Sequence, residues 1–430
     1  MASRRYPLLV FADQTGRIME HPFLEMAGSE AGQWRCLNRS EWIPLPEGSE
    51  LFVLPGRLPV GFDSRKKKFS VLTQNPYGKN GSVQAVAASV APAYTTLLSA
   101  AYRTKPSAPV LPLFSYAAVG WHEGQFVVAA MRVDPDERQD VKHLDLEKVS
   151  EHARLWMKQY RHNRLIHHLA RCALTYACPA ARNFFLRRWE APLPSSPRCN
   201  ARCIGCISLQ TNSPIPSTQQ RIKFTPNPEE LAEVAVMHFK KAPKPVASFG
   251  QGCEGEPLLV ANTIEAGIRL IRSEITSGTI NMNTNGSIPD VLEKLAKAGL
   301  QSVRVSLNSL QPEYYNAYYR PKGYKLDDVK KFISKAKDLG LFVSINYFML
   351  PGFTDDLAEF KAFEDLLRTT QIDLIQMRNF NIDPEWYMRS INFKPSGKPI
   401  GIMTWMERVR EISPTIRFGY FNPPINHQET

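Results

Sequence analysis

The stretch that decides the fold is residues 195–210, which read Ser-Ser-Pro-Arg-Cys-Asn-Ala-Arg-Cys-Ile-Gly-Cys-Ile-Ser-Leu-Gln. It holds three of the seven cysteines, Cys199, Cys203 and Cys206, in the spacing C-x3-C-x2-C. Thiolates are soft ligands that select zinc, copper(I) or iron–sulfur clusters. A structural zinc site takes four ligands, whereas three cysteines of one loop hold three irons of a [4Fe–4S] cluster and leave the fourth iron open. The spacing therefore favours a cluster, and another metal site or unrelated thiols are the alternatives.

Length and composition limit the class of protein. A chain of 430 residues is expected to form two or three domains. Hydrophobic residues make up 43% of it, and no run approaches the roughly 18 apolar residues of a membrane span, so no membrane contact is predicted. An odd number of cysteines without disulfide-framework spacing is typical of a reducing compartment and predicts a cytoplasmic protein.

The net charge of +12 is consistent with acidic partners. Half of it lies in residues 151–190, where eight Lys/Arg against two Glu give +6. Aromatic residues accompany these charges, and they either face RNA bases or, more commonly, dock one helix on another. They are Trp156, Tyr160, Phe184, Phe185 and Trp189. RNA is therefore an alternative partner.

Four regions follow one another along the chain. They are a β-rich domain at 1–143, a basic helical connector at 144–191, a region of alternating strands and helices at 192–390, and a C-terminal helix and strand at 391–430 that cover it. Within the first region, residues 115–131 predict a hairpin around His122-Glu123-Gly124, and the alanine-rich residues 89–102 are a candidate helix.

Polar residues recur at every second position of the strands predicted within 192–390. Strands of an ordinary parallel sheet are apolar on both faces, but here one face of each strand is polar. The polar sets are Asn281, Asn283 and Asn285; Arg304, Ser306 and Asn308; Ser344 and Asn346; and Gln376 and Arg378. Leaving such groups buried and unpaired costs roughly 1–3 kcal/mol each. The pattern therefore predicts an interior lumen that holds a polar ligand, and a one-sided solvated sheet is the alternative.

The cysteine spacing resembles the signature of the radical S-adenosylmethionine (SAM) superfamily. Four later stretches resemble that family's partial (β/α)6 barrel, in the expected order. They are Gly-Cys-Glu-Gly-Glu-Pro at 252–257, Thr-Asn-Gly at 284–286, the strand end with Ser306 and Asn308, and Met-Leu-Pro-Gly-Phe-Thr-Asp-Asp at 349–356. The resemblance covers about 195–385 and implies an α/β fold, with the partial barrel preceded by the β-rich domain and the helical connector. In two places the chain departs from the family pattern: Glu254 replaces a glycine, and Gly205 replaces an aromatic residue.

The resemblance implies an enzyme in which Cys199, Cys203 and Cys206 hold one [4Fe–4S] cluster. An electron from the cluster would cleave SAM to a 5′-deoxyadenosyl radical, which abstracts hydrogen from a peptide or a small metabolite. A reductant protein such as flavodoxin or ferredoxin is the implied partner. The residues implied to bind SAM are Gly255, Glu256, Pro257, Asn285, Arg304, Ser306, Asn308, Leu350 and Gly352.

Two residues are candidates for roles in catalysis. Cys253 lies within 252–257 and is a candidate hydrogen-atom donor, with a small packing thiol as the alternative. Arg378, at the end of its strand together with Asn379 and Asn381, is a candidate substrate contact, with a structural ion pair as the alternative. Modification of RNA is the alternative function, and a non-catalytic iron–sulfur or zinc protein is the alternative from another class.

No second metal site is expected in the helical connector. His162, His167 and His168 are predicted to be solvated or packed. Cys172 and Cys178 are six residues apart and do not share a face of one helix.

Overall fold

The computed structural model describes residues 6–78, 81–137, 140–211 and 213–425. The chain forms two compact units. Unit 1 comprises Met1–Pro135, Phe348–Glu364 and Met377–Ile412; unit 2 comprises Asp136–Tyr347, Asp365–Gln376 and Ser413–Thr430. Across the described ranges, none of the helices has the length and apolar character needed to cross a membrane. The four predicted regions do not coincide with these units, and their boundaries stay a proposal.

Unit 1 is built mainly from antiparallel strands. They are β1 (Leu8–Ala12), β2 (Ile18–Glu30), β3 (Gln33–Cys36), β4 (Ile43–Pro44), β5 (Glu50–Leu54), β6 (Arg57–Asp63), β7 (Lys68–Val71), β8 (Gln84–Ser89), β9 (Tyr94–Thr96), β10 (Ser99–Ala100), β11 (Tyr102–Thr104), β12 (Val119–His122), β13 (Gln125–Val128) and β14 (Ala130–Arg132). Twelve of them join one sheet, whose longest path is β11-β6-β2-β1-β12-β13-β4, and β14 pairs with β9. Small apolar residues such as Ala88, Ala117 and Ala130 pack together in its core.

The predicted hairpin is present, because β12 and β13 pair antiparallel from Val119↔Val128 to His122↔Gln125. The predicted helix at 89–102 is wrong, because this segment contains β9, β10 and the start of β11. Ala93 has a positive φ of 78° that no α-helix contains, and it follows Pro92, which has no backbone N–H to donate. The alanines of this segment pack closely within a sheet, and this tertiary packing overrides their helix propensity.

Unit 2 carries the alternating helices and strands that the sequence predicts. They are α1 (Leu146–Gln159), α2 (Arg164–Thr175), α3 (Pro179–Phe185), β15 (Glu190–Pro192), α4 (Pro228–Phe239), β16 (Val246–Phe249), α5 (Ala261–Glu274), β17 (Thr279–Thr284), α6 (Leu292–Ala298), β18 (Ser302–Leu307), α7 (Pro312–Tyr319), α8 (Leu326–Asp338) and β19 (Phe342–Met349). The later elements are α9 (Leu357–Thr369), β20 (Leu374–Asn379), α10 (Pro384–Ser390), α11 (Ile402–Ile412) and β21 (Arg417–Gly419). Unit boundaries fall inside β19, α9 and β20, while α10 and α11 lie in unit 1.

The strands β15 to β21 form one seven-stranded sheet in chain order, with parallel pairing. Its register puts polar residues of neighbouring strands side by side: Ser248↔Asn281, Asn283↔Arg304 and Ser306↔Asn346. Helices α4, α5, α6 and α8 supply apolar residues that are buried. The predicted α/β class with a β-rich N-terminal region is therefore confirmed.

The sheet of unit 2 curls into a half-barrel. In a flat sheet, strands two apart in the order are separated by about 9.5 Å. Here Arg304 of β18 donates from Nη1 to Gln376 Oε1 of β20 at 3.2 Å, so side chains meet across the concave face.

Candidate functional site

A hydrogen-bonded network fills the deep part of the concave face of unit 2. The Asn281 amide donates to Ser248 Oγ at 3.1 Å and to Asn283 Oδ1 at 2.9 Å. Its oxygen accepts from the Ser302 hydroxyl at 2.7 Å. The Asn422 amide donates to Asn283 Oδ1 at 3.1 Å. These polar side chains satisfy one another in the deep part of the face, and the predicted polar ligand stays a prediction for the outer part.

Asn422 was missed by the sequence argument, which gave the C-terminal segment only a covering role. It is 2% exposed, and its oxygen accepts from Gln376 Nε2 at 2.9 Å while its amide also contacts Glu190 at 2.8 Å. The Asn422 side chain thus joins β15, at one edge of the half-barrel, to β20, the strand next to the other edge. The polar residues at every second strand position predicted the polar interior of the half-barrel. The Asn-Pro-Pro sequence at 422–424 has no such pattern, so it did not predict that Asn422 lies there.

The outer ends of the strands carry the residues predicted to bind SAM. Arg304 and Ser306 are partly buried, and Ser306 Oγ accepts from Asn346 Nδ2 at 3.4 Å. Asn308 is buried and donates to the backbone oxygen of Tyr314 at 3.3 Å. The register places these residues on the same concave face of unit 2.

The cysteine loop follows β15 and is fastened to the loop after β16 by backbone hydrogen bonds. Gly255 N donates to Ser196 O at 2.6 Å, and Glu256 N donates to Arg198 O at 2.8 Å. A Cβ atom on Gly255 would lie 1.9 Å from Arg198 O, so the approach of the two loops requires glycine here.

Glu254, which departs from the family pattern, anchors the entrance of the cysteine loop. Its buried Oε2 accepts from Ser195 N at 2.7 Å, Ser195 Oγ at 3.0 Å and Ser196 N at 3.0 Å. Oε1 accepts from Gln251 N at 2.6 Å. Burial raises the pKa of this carboxyl, although the hydrogen bonds favour the charged form.

Glu256 presents the second buried carboxylate of this loop. It accepts from the Thr284 hydroxyl at 2.5 Å, from Asn285 N at 2.9 Å and from Leu258 N at 3.1 Å. Burial raises its pKa to about 7. Pro257 follows it as the first residue of a short 3-10 helix, Pro257–Val260.

Asparagines link the cysteine loop to the end of β17. Asn285 Nδ2 donates to Asn200 Oδ1 at 2.8 Å, and Asn200 Nδ2 donates to Ser287 Oγ at 2.9 Å. Asn200 stands directly after Cys199, so the loop is held at both its entrance and its middle.

The three loop thiols lie close enough to influence one another. Burial raises the pKa of Cys199 to about 11, with the charge of Glu256 adding to the effect, and raises that of Cys203 well above its ordinary value. Cys206 Sγ accepts a hydrogen bond from Arg221 Nη2 at 3.3 Å, a contact that the sequence argument missed. Metal binding replaces the thiol protons, which relieves the cost of the buried charges.

The spacing of the three thiols fits a multi-atom cluster better than one ion. Among the described residues, one group of three potential ligands has all its ligand atoms within 4.8 Å of one another. That group does not include Cys199, Cys203 or Cys206. At least two of these three thiols therefore lie more than 4.8 Å apart, whereas the ligands of a single tetrahedral ion lie about 3.3–3.8 Å apart. A donor set of three thiolates with an adjacent guanidinium suits an iron–sulfur cluster.

Leu350 and Gly352 belong to unit 1. Leu350 is buried, and Gly352 adopts a φ of 88° with its N–H donating to Asp355 Oδ1 at 2.6 Å. A Cβ atom on Gly352 would lie 2.3 Å from Ala31 N, so the turn packs directly on the β2–β3 connection. Their predicted contacts with SAM stay a prediction, as do those of the unit 2 residues.

Arg378 and Asn379 also belong to unit 1 and are partly buried. The Asn379 side chain accepts from Thr96 N at 2.7 Å and donates to Tyr94 O at 2.9 Å. Its amide is therefore already hydrogen-bonded to the backbone of β9. The role of Arg378 stays a prediction. Unit 1 also contains a cavity of about 350 Å³. Its lining includes Ser29, Tyr102, Leu350, Glu385, Met388 and Arg389.

Four of the five aromatic residues of the basic segment are buried. Trp156, Phe184, Phe185 and Trp189 are at most 3% exposed, so they dock α1 and α3 on their neighbours. Arg164 forms an ion pair with Glu230 of α4 at 2.6 Å. Buried rings are not available to bases, so these four residues do not support stacking on RNA, whereas Tyr160 is only partly buried. RNA as a partner stays a prediction.

Cys253 is 4% exposed and lies beside α2, where Cys172 and His168 face it. Cys172 follows His168 by four residues, a sequence signal that the prediction of a packing role for this histidine overlooked. The predicted catalytic role of Cys253 is not tested by this placement.

A three-cysteine loop at the mouth of a parallel half-barrel is the class of site that the radical SAM family shares. The family model described as the radical SAM superfamily matches residues 193–363. Residues 193–363 are therefore a radical SAM domain, which confirms the sequence prediction of an enzyme of this kind, and such a domain implies an iron–sulfur cluster and SAM.

The comparisons with individual proteins cover only part of each chain. GTP 3′,8-cyclase of Aquifex aeolicus is 32% identical over 160 residues, which are 37% of this chain and 47% of that protein. GTP 3′,8-cyclase of Listeria monocytogenes is 29% identical over 187 residues, 42% of this chain and 50% of that protein. This chain thus spans about half the length of these relatives. Among solved structures, methylornithine synthase is similar with 14% identity and a TM-score of 0.38, over 66% of this chain and 77% of that one.

Proposed function

We propose that this chain is a radical SAM enzyme that acts on a small molecule. The observation that carries the proposal is the anchored cysteine loop: three thiols on one loop, fixed to the strand ends by Glu254, Gly255 and Asn285. Cys199, Cys203 and Cys206 would hold one [4Fe–4S] cluster. When bound, this cluster supplies the electron that cleaves SAM and so starts hydrogen abstraction from the substrate.

The residues around the loop provide complementary groups for the two charged ends of the methionine part of SAM. Glu256 offers a buried carboxylate to an ammonium group, and its position is set in advance by Thr284 and Asn285. Arg304 offers a guanidinium to a carboxylate, and Ser306 and Asn308 on the same strand offer polar contacts. The apolar residues beneath this face exclude water, which protects a reactive radical from side reactions.

A small molecule is the proposed substrate class. The relatives' name, GTP 3′,8-cyclase, describes a reaction on a nucleotide, and this supports a small molecule over RNA. The cavity in unit 1, at about 350 Å³, has the size of a small-molecule pocket. GTP is therefore the first substrate to test, followed by peptide and metabolite pools.

The partner and the compartment follow from the same chemistry. A cluster that must be reduced calls for an electron donor such as flavodoxin or ferredoxin. All seven cysteines are free thiols, which supports a reducing compartment, and we place the protein in the cytoplasm.

An anaerobic assay tests the function. The protein is reconstituted with iron and sulfide, reduced and mixed with SAM, with and without GTP, and 5′-deoxyadenosine is measured. The wild type is expected to form it, Cys203→Ala is not, and Cys36→Ala, which changes an exposed cysteine in unit 1, is expected to match the wild type. An intact, reducible cluster that yields no 5′-deoxyadenosine with any substrate pool would favour a non-catalytic electron-transfer protein.

A further inference from the structure

A second group of metal-ligating side chains lies outside the cysteine loop. It comprises His168 and Cys172 of α2 and Cys253 of the loop after β16. The ligand atoms of all three lie within 4.8 Å of one another, and His168 Nε2 is 3.6 Å from Cys172 Sγ. The four-residue spacing puts His168 and Cys172 on one face of the helix, and tertiary folding brings Cys253 to them.

The 3.6 Å separation of His168 Nε2 and Cys172 Sγ matches that required by a single tetrahedral ion. Zinc binds sulfur at about 2.3 Å and imidazole nitrogen at about 2.0–2.1 Å, so ligand atoms lie about 3.3–3.8 Å apart. Two thiolates and one imidazole are ligands that zinc prefers among the common divalent ions. An iron–sulfur cluster needs wider ligand separations, so this group suits one ion.

The surroundings also favour metal ligation. Cys172 and Cys253 are 1% and 4% exposed, and His168 is partly buried, so the three ligand atoms are shielded from bulk water.

We infer that His168, Cys172 and Cys253 bind a zinc ion that ties α2 to the loop carrying Glu254 and Glu256. Cys253 is then a metal ligand and not a hydrogen-atom donor. The backbone of Cys178 adjoins the group, because its N–H donates to Cys172 O at 3.0 Å, and either the Cys178 thiol or water completes the tetrahedron. The inference goes beyond the proposed function and does not depend on it.

Metal analysis of the full-length chain tests the inference. The protein is expressed with added zinc, purified anaerobically and analysed for zinc and iron by mass spectrometry. The wild type is expected to hold about one zinc ion per chain, the number that one three-ligand group supports. His168→Ala and Cys172→Ala should lose the zinc and keep the iron, whereas Cys203→Ala should lose iron and keep the zinc. Cys36→Ala is the matched control and should change neither.

X-ray absorption at the zinc edge gives a readout that does not depend on variants folding. Two or three sulfur ligands at about 2.3 Å together with an imidazole would support the site, and the sulfur count decides between Cys178 and water. Wild type without zinc after incubation in excess zinc, or zinc kept at the wild-type level by Cys172→Ala, overturns the inference. A Cys172–Cys253 disulfide in place of zinc also overturns it. Iron loss in all variants would instead count against the proposed cluster.

Discussion

The Thr284 hydroxyl donates a 2.5 Å hydrogen bond to the carboxylate of Glu256, which joins the end of β17 to the loop after β16. Asn285 N occupies the other carboxylate oxygen at 2.9 Å. Glu256 is 3% exposed, and burial raises its pKa to about 7. A cation that binds here favours the charged form, so ligand binding and proton release are coupled.

Glu256→Gln is expected to weaken SAM binding to the reconstituted protein by roughly 10- to 100-fold, because a hydrogen bond to a charged group contributes about 1.5–3 kcal/mol. In the wild type the carboxyl must lose its proton to accept the ammonium, so affinity should rise as pH increases through about 7. The variant should show a flatter profile. Calorimetric titration under anaerobic conditions measures both effects, and equal affinities at every pH would exclude an ammonium contact at Glu256.

Arg221→Gln is expected to shift the reduction potential of the cluster to more negative values. Arg221 Nη2 lies 3.3 Å from Cys206 Sγ, and positive charge and hydrogen bonds at a ligand sulfur stabilise the reduced cluster. A redox titration followed by electron paramagnetic resonance measures the shift. Arg269→Gln, which changes an exposed arginine of α5 paired with Glu265, is the control and should leave the potential unchanged. A potential that stays the same or rises in Arg221→Gln would contradict this assignment.

Arg57→Ala is expected to lower the free energy of unfolding of unit 1 by about 3–5 kcal/mol, because it strands a buried charge. Arg57 and Asp383 are 2% and 1% exposed, and they form an ion pair at 2.6 Å. Asp383 also accepts from Leu111 N at 3.0 Å and from the first N–H groups of α10. Urea unfolding of the variant measures the loss, with Lys66→Ala as an exposed control. A midpoint close to that of the wild type would mean that water reaches Asp383.

His238 is expected to make the protein less stable in mild acid. It is buried in α4 with Nε2 at 3.1 Å from Trp189 O, and burial lowers its pKa from 6.5 to about 4. Because the folded pKa lies below the unfolded one, this contribution is complete above pH 6.5 and is lost as pH falls through about 4, up to about 3 kcal/mol.

His238→Gln keeps an N–H donor for the carbonyl of Trp189 and removes the titration. Urea unfolding at about pH 7 and about pH 5 should therefore show a smaller loss of stability in the variant than in the wild type. The same loss in both proteins would assign the acid sensitivity to other groups, of which His21, also with a pKa lowered to about 4 by burial, is the next to test.

Much of the half-barrel could be predicted because its signals are local. Strands and helices alternate through 192–390 as predicted, since the hydrophobic period of each element is fixed within a few turns. The polar period of β17 and β18 likewise placed one face of each strand toward the interior. The alanine-rich segment before β11 failed because packing in the sheet outweighs the weak helix propensity of a short stretch.

The sequence by itself determined the superfamily, the cysteine loop and the alternation of strands and helices, because ligand spacing and hydrophobic period lie within a few neighbouring residues. Only the tertiary structure decided which distant side chains meet. It brought Asn422 to Asn283, Arg221 to Cys206, and Cys253 to His168 and Cys172. It also buried Trp156 and Phe184, for which the sequence allowed either packing between helices or stacking on RNA bases. Such contacts depend on the path of the whole chain, and no local period records them.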